Sequence, residues 1–176
     1  EHSALSVDGV IARVETAPAL GLDIQAHPIG AADIAGIAGR PVLRGDIELE
    51  GRLHGGLEAL RLDARVDGGD AGRLQVDAMA GLTSTPMPWT LDARTDALAL
   101  DALLVDVPEP VRLAGVYRVG AVGTDWPEGL DATVHVAAGE QVLWGEPVAS
   151  TRLDAQVSGG VVRVQTFAAE HAAGRL

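Results

Sequence analysis

Apolar and polar residues alternate along most of this chain. Over Arg44–Val66, Ile47, Leu49 and Leu53 share one parity, and Asp46, Glu48, Glu50 and Arg52 share the other. After His54-Gly55-Gly56, Leu60, Leu62, Ala64 and Val66 oppose Arg61, Asp63, Arg65 and Asp67. Successive side chains of a strand point to opposite faces. Each run is therefore a strand with one aliphatic and one charged face, and the glycines punctuate the pair as a hairpin.

The same reading extends in both directions. Leu5–Thr16 reads as a hairpin bent at Asp8-Gly9. Gly21–Ala26 reads as a short strand ended by His27-Pro28, and Ala31–Ile37 as one or two helical turns. Arg73–Ala80 turns Leu74 and Val76 inward, and Trp89–Thr95 does so with Trp89 and Leu91. Asp96–Val105 has leucines at helical spacing, with Asp96 placed as an N-cap. Gly115–Gly123 puts Tyr117 and Val119 on one face; Leu130–Val136 adds Leu130, Val134 and Val136. Gln141–Ala149 reads as a short pair around Gly145. Thr151–Val157 carries Leu153 and Val157 inward, and a turn at Ser158-Gly159-Gly160 leads to Val161–Thr166 with Val162 and Val164. Phe167–Leu176 reads as the start of a further unit.

Three stretches echo others. VDGVIARVET (Val7–Thr16) matches VSGGVVRVQT (Val157–Thr166), Leu20–Gly45 matches Pro88–Gly115, and Arg44–Val66 matches Ala114–Val136. The central matches are about 70 residues apart, a loose repeat of several strands. The chain thus reads as a single repeat segment, 1–176, with approximate units 1–43, 44–113 and 114–176. The expected fold class is all-β: a repetitive antiparallel-type sheet curled into a taco- or trough-like groove with an apolar concave lining. The alternative is a closed β-sandwich.

Composition narrows the function. Apolar residues make up 47% of the chain but aromatics only 3%, so any interior is smooth and aliphatic. The net charge of −12 opposes nucleic acid, which requires a basic surface. It also opposes tight adhesion to anionic membranes. With no cysteine there is no disulfide, thiol nucleophile or cysteine zinc site. No uncharged run approaches the roughly 20 residues of a membrane helix. The chain opens mid-pattern and reads as a piece of a larger protein.

No catalytic constellation stands out. His54-Gly55-Gly56 resembles an oxyanion-loop tripeptide, but no G-x-S-x-G elbow accompanies it. The five histidines never fall at metal-binding spacing. The strand carboxylates alternate with arginines, as solvated faces and cross-strand ion pairs do. Trp89, Trp126 and Trp144 suit strand-end plugs or the edge of a hydrophobic groove. Non-enzymatic function, without cofactor or metal, is the expectation.

The units LRGDIELEGRLHGGLEALRLDA (Leu43–Ala64), AGVYRVGAVGTDWPEGLDATVHV (Ala114–Val136) and VLWGEPVASTRLDAQVSGGVVRVQTFAAEHAAGRL (Val142–Leu176) resemble the β-repeats of TamB/AsmA-like proteins of diderm bacteria. The features carrying the likeness are glycine-started strands, the Gly145-Glu146-Pro147 bend and the Gly159-Gly160 hairpin. The resemblance implies a periplasmic segment whose parent is anchored in the inner membrane. It implies a hydrophobic conduit carrying phospholipids between the inner and outer membranes, with acyl chains as ligand and an outer-membrane barrel of the BamA/TamA type as partner. The alternative it implies is a chaperone-like module for assembly of outer-membrane β-barrels. The lining would come from the inward residues named above: Ile47, Leu49, Leu53, Leu60, Leu62, Val66, Leu74, Val76, Trp89, Leu91, Tyr117, Val119, Leu130, Val134, Val136, Leu153, Val157, Val162 and Val164.

Overall fold

Each alternating stretch becomes a strand, and nearly all strands adjacent in the chain pair with each other. The computed structural model describes residues 3–13, 17–125, 129–171 and 174–175. In chain order these form β1 (Leu5–Ala12), β2 (Ala19–Ile29), α1 (Ala31–Ala38), β3 (Ile47–Gly56), β4 (Leu60–Asp67), β5 (Arg73–Ala80), β6 (Pro88–Ala99), α2 (Leu100–Leu103), β7 (Arg112–Asp125), β8 (Gly129–Ala138), β9 (Gln141–Leu143), β10 (Glu146–Ser158), β11 (Val161–His171) and β12 (Gly174–Arg175). A short 3-10 turn, Gly69–Ala71, links β4 to β5. All twelve strands belong to one sheet, ordered β1-β2-β3-β4-β5-β6-β7-β8-β10-β11-β12, with β9 beside β7 and β10. Every pairing is antiparallel. The all-β class is therefore right. A closed sandwich would sequester large aliphatic side chains between two sheets. Here no large side chain among the described residues is fully buried, and the small buried core cluster is Ala121, Ala132 and Val157, with Trp89 and Leu130 against it.

Several element boundaries differ from the sequence reading. Leu5–Thr16 is not a hairpin bent at Asp8-Gly9: β1 runs straight through both, paired from Leu5↔Ala26 to Ala12↔Ala19. Residues 14–16 lie outside the described residues. Gly9 serves close approach rather than turning. Its φ is 148°, and a Cβ there would overlap the Gly21 carbonyl oxygen. Nor does His27-Pro28 end β2. The register shifts between Ala26 and Ile29, which takes the proline out of the ladder and lets Ile29 pair with Ile47. The β3–β4 turn falls at Leu57–Ala59, one step beyond His54-Gly55-Gly56, because β3 continues to Gly56.

Asp96 is not a helix cap. β6 continues past a register shift to pair Leu98 with Leu113 and Ala99 with Arg112, and the helix is only Leu100–Leu103. Ala99 stands at its N-cap without a side-chain bond. Leu98 is buried, so the sheet pairing wins over helical spacing. Phe167 does not open a new unit: β11 runs to His171 across a shift between Val164 and Thr166.

The two stretches matched about 70 residues apart fold into the same order of elements, β2-α1-β3-β4 and β6-α2-β7-β8. In each, a register shift immediately precedes the helix. The two crossovers lie at the same end of the strands and are clasped together. Leu43 and Leu104 form a bridge, Arg44 N–H donates to the Leu103 carbonyl at 2.9 Å, and Val105 N–H donates to Val42 at 3.0 Å. The Arg44 guanidinium caps the Leu104 and Val105 carbonyls at 2.9 and 3.2 Å, and Arg40 pairs with Asp106 at 2.8 Å.

Candidate functional site

Residues directly opposite in an antiparallel ladder share a face. The registers therefore trace rows across the sheet. One row runs Gly9, Leu22, Leu53, Leu62, Ala78, Leu91, Val119, Val134, Ala155, Val164, a residue from each strand between β1 and β11. The next runs Val7, Ile24, Gly51, Ala64, Val76, Ala93, Tyr117, Val136, Leu153, Phe167. A third, from β4 onward, is Leu60, Ala80, Trp89, Ala121, Ala132, Val157, Val162. A fourth opens Leu5, Ala26, Leu49, Val66, Leu74. Ile47 and Leu130 share the parity of Leu49 and Ala132 on their strands. Every residue expected in the lining thus stands on one face of one sheet. Except at the two edges, and apart from buried Val157, these large aliphatic residues are half-buried.

The face is not flat. Ala78 and Ala80 of β5 lie between Leu60 and Leu62 of β4 and Trp89 and Leu91 of β6. The small side chains leave a depression of about 220 Å³, which Leu53 also lines. Trp89 is satisfied within it: its indole N–H donates to the Gly123 carbonyl at 3.0 Å. Trp144, by contrast, sits at the β9–β10 turn, 71% exposed and outside the rows, and Trp126 lies outside the described residues.

At the end of the strands carrying the crossovers, polar groups on this face are partnered. Thr95, buried, donates to the Arg73 carbonyl at 2.7 Å. Tyr117 Oη donates to Gln141 Oε1 at 3.3 Å, and Gln141 Nε2 donates to Thr151 Oγ1 at 2.6 Å. Burial pushes the Tyr117 phenol up. The rim is therefore polar yet satisfied, and the interior of the face offers no directional partner.

The opposite face is charged. Its central row reads Asp8, Asp23, Arg52, Asp63, Asp77, Asp92, Arg118, His135, Asp154. Arg118 pairs with Asp92 at 2.8 Å, Arg52 with Asp23 at 3.6 Å, His54 with Asp63 at 3.1 Å and His135 with Asp154 at 2.5 Å. The His135 hydrogen bond, aided by the charges of His135 and Arg152, holds the Asp154 carboxyl below the usual range. The Arg73 hydrogen bond, with the Gly69 N–H, does the same for Asp67. Exposed pairs of this kind contribute little to stability. They keep one face in water, and so fix which face must find apolar cover.

Sequence parity missed part of the apolar face. Leu5, Val7 and Ile11 belong to it, but reading β1 as a hairpin broke their alternation. Phe167 belongs to it too, because the shift after Val164 moves the inward parity from even to odd numbers. Leu22 and Ile24 were visible as one side of a strand and complete the rows.

No described helix is long and apolar enough to cross a membrane. No family model, curated protein or solved structure matches the chain.

Proposed function

We propose that this chain is a segment of a periplasmic lipid conduit of the TamB/AsmA-like kind, in which the sheet curls around acyl chains and passes phospholipids between the two membranes. One observation carries the reading: the apolar rows run unbroken across ten strands, β1 to β8 with β10 and β11, while nearly all of their large side chains, Val157 apart, stay half-buried or exposed. At about 4.8 Å per strand this is a path of roughly 45 Å. Aliphatic walls hold an acyl chain by burial alone, at about 25 cal/mol per Å². Such contacts have no preferred direction or register, so a chain can slide along them. The acidic outer face resists anionic bilayers, which suits a segment suspended between membranes.

Native mass spectrometry of the chain purified from a diderm host tests this. Bound phospholipid is expected in the unaltered chain and is lost in Leu62→Arg and Val134→Asp, which place a charge in one of the two rows that span all ten strands. Circular dichroism melts of these variants are expected to keep the β signal. A lipid-free protein, or lipid content unchanged by both variants, overturns the reading. Photocrosslinking from Leu91 to an unfolded β-barrel client, with no lipid present, replaces it by a chaperone role.

A further inference from the structure

The charged face carries arginines that its ion pairs leave over. Arg65 of β4, Gln75 of β5 and Arg94 of β6 are directly opposite one another in successive ladders, so all three stand in one row on that face. Arg73 stands two residues along β5 from Gln75, on the same face. With Asp96, these residues line a depression of about 270 Å³. Three arginines against one carboxylate in its lining reverse the balance of the whole chain, whose net charge is −12.

The carboxylates around this row are turned to other partners. Glu50 is directly opposite Arg65, yet its Oε1 approaches His27 Nε2 at 3.7 Å and makes no salt bridge with Arg65. Asp67 is held by Arg73 Nε at 2.6 Å and by the Gly69 N–H at 2.9 Å. Asp92 is held by Arg118 at 2.8 Å. Asp77 lies diagonal to both Arg65 and Arg94 and pairs with neither. Among the described residues, Arg65, Arg94 and the Gln75 amide therefore have no hydrogen bond or salt bridge.

Two strand spacings, about 10 Å, separate the backbones of Arg65 and Arg94. Guanidinium groups reaching in from the two sides can meet one anion above Gln75, whose amide N–H groups add donors. This layout selects the anion. A carboxylate, or a phosphodiester with its two unesterified oxygens, offers one edge to one guanidinium fork. A phosphomonoester offers a third terminal oxygen, enough for a fork on each side, and more charge. The geometry points to a phosphomonoester site on the charged face, with Arg65 and Arg94 as its clamps, Gln75 as its floor and Arg73 at its margin. It lies on the side of the sheet away from the apolar rows and does not depend on what those rows bind. The acidic surroundings favour a small phosphorylated solute over a bilayer headgroup.

Titration of inorganic phosphate into the isotope-labelled chain at low ionic strength, followed through the arginine Nε–Hε resonances, tests the site. Saturable shifts at Arg65 and Arg94 are expected. Glycerol monophosphate reproduces them, and acetate and dimethyl phosphate do not. Arg65→Gln and Arg94→Gln each weaken binding about tenfold, and Asp77→Asn, which removes a diagonal carboxylate, strengthens it. Arg163→Gln makes the same change in net charge on β11 and leaves the affinity unaltered. Thermal melts establish that each variant folds like the parent. Flotation with phosphatidylcholine vesicles containing phosphatidic acid separates the two sources of the group. Co-flotation that requires Arg65 and Arg94 assigns the site to a lipid phosphomonoester, and its absence to a soluble one. Shifts that fail to saturate, that acetate matches, or that Arg163→Gln weakens as much as Arg94→Gln overturn the inference.

Discussion

Leu62→Ala measures whether the apolar face is open. Leu62 lies inside one of the two ten-residue rows, flanked by Leu53 and Ala78 and bordering the depression over β5. The substitution removes three carbons, worth about 2.4 kcal/mol if they were fully buried. In a closed core the cavity left behind raises such costs to roughly 3–5 kcal/mol. Leu62 is only half-buried, and the space left beside it is continuous with solvent. About half of the transfer value applies and no sealed cavity forms, so the expected loss is about 1 kcal/mol. Val157→Ala is the internal comparison. It removes fewer carbons, but Val157 is 7% exposed in the small cluster with Ala121 and Ala132. Its expected cost, about 1.5 kcal/mol, is larger. Urea unfolding of delipidated protein, followed by circular dichroism at constant m-value, gives both numbers. A loss above about 2.5 kcal/mol for Leu62→Ala, or a smaller loss for Val157→Ala, would place Leu62 in a sealed core and refute the open face.

Gly115 and Gly39 separate backbone strain from steric overlap. Both have positive φ, 148° and 71°, but a Cβ at Gly115 would lie 2.5 Å from Ala138 Cα, whereas nothing is within 4 Å of one at Gly39. Gly115→Ala is expected to cost more than about 3 kcal/mol in urea unfolding and Gly39→Ala about 1 kcal/mol. For acid stability, Asp154 has its folded pKa below the ordinary carboxylate value of 3.8, so the unfolded chain binds its proton first as pH falls. Its contribution is present in full above that value and is lost as pH drops through the lowered folded pKa. Asp154→Asn should therefore flatten the fall of the urea midpoint below about pH 4, by a small amount because the carboxylate is exposed; an unchanged profile contradicts the assignment.

Alternation made the sheet legible, because a one-sided strand in water has a single parity to bury. β5 was delimited to the residue, Arg73–Ala80, and the whole expected lining proved to share one face. What parity could not reveal was how far each strand runs. That depends on pairing with a neighbour, and pairing carries β2 past Pro28 and β6 past Asp96 despite local breaking and helix-forming signals. It also straightens the Asp8-Gly9 bend, since a paired glycine can serve close packing as readily as a turn. Register shifts were equally hidden, and one of them concealed Phe167. The clasp between the crossovers had no local signal either: Arg44 and Leu104 are distant in sequence, and the donors and acceptors that join them are mostly backbone.

That clasp gives the sheet an uneven response to force. Pulled across its strands, β1 and β11 can be unzipped one hydrogen-bonded rung at a time: among the described residues β1 pairs only with β2, and β11 pairs along its length with β10 and with β12 only at Glu170 and His171. The block from β3 to β6 is different. Its two crossovers are fastened at Leu43 and Leu104, with Arg44 stitched to the opposite crossover. Strands inside this loop cannot separate until the fastening opens, so the load falls on several short bonds in parallel. Under tension the molecule should lengthen first from its edges, and then yield in a single larger step.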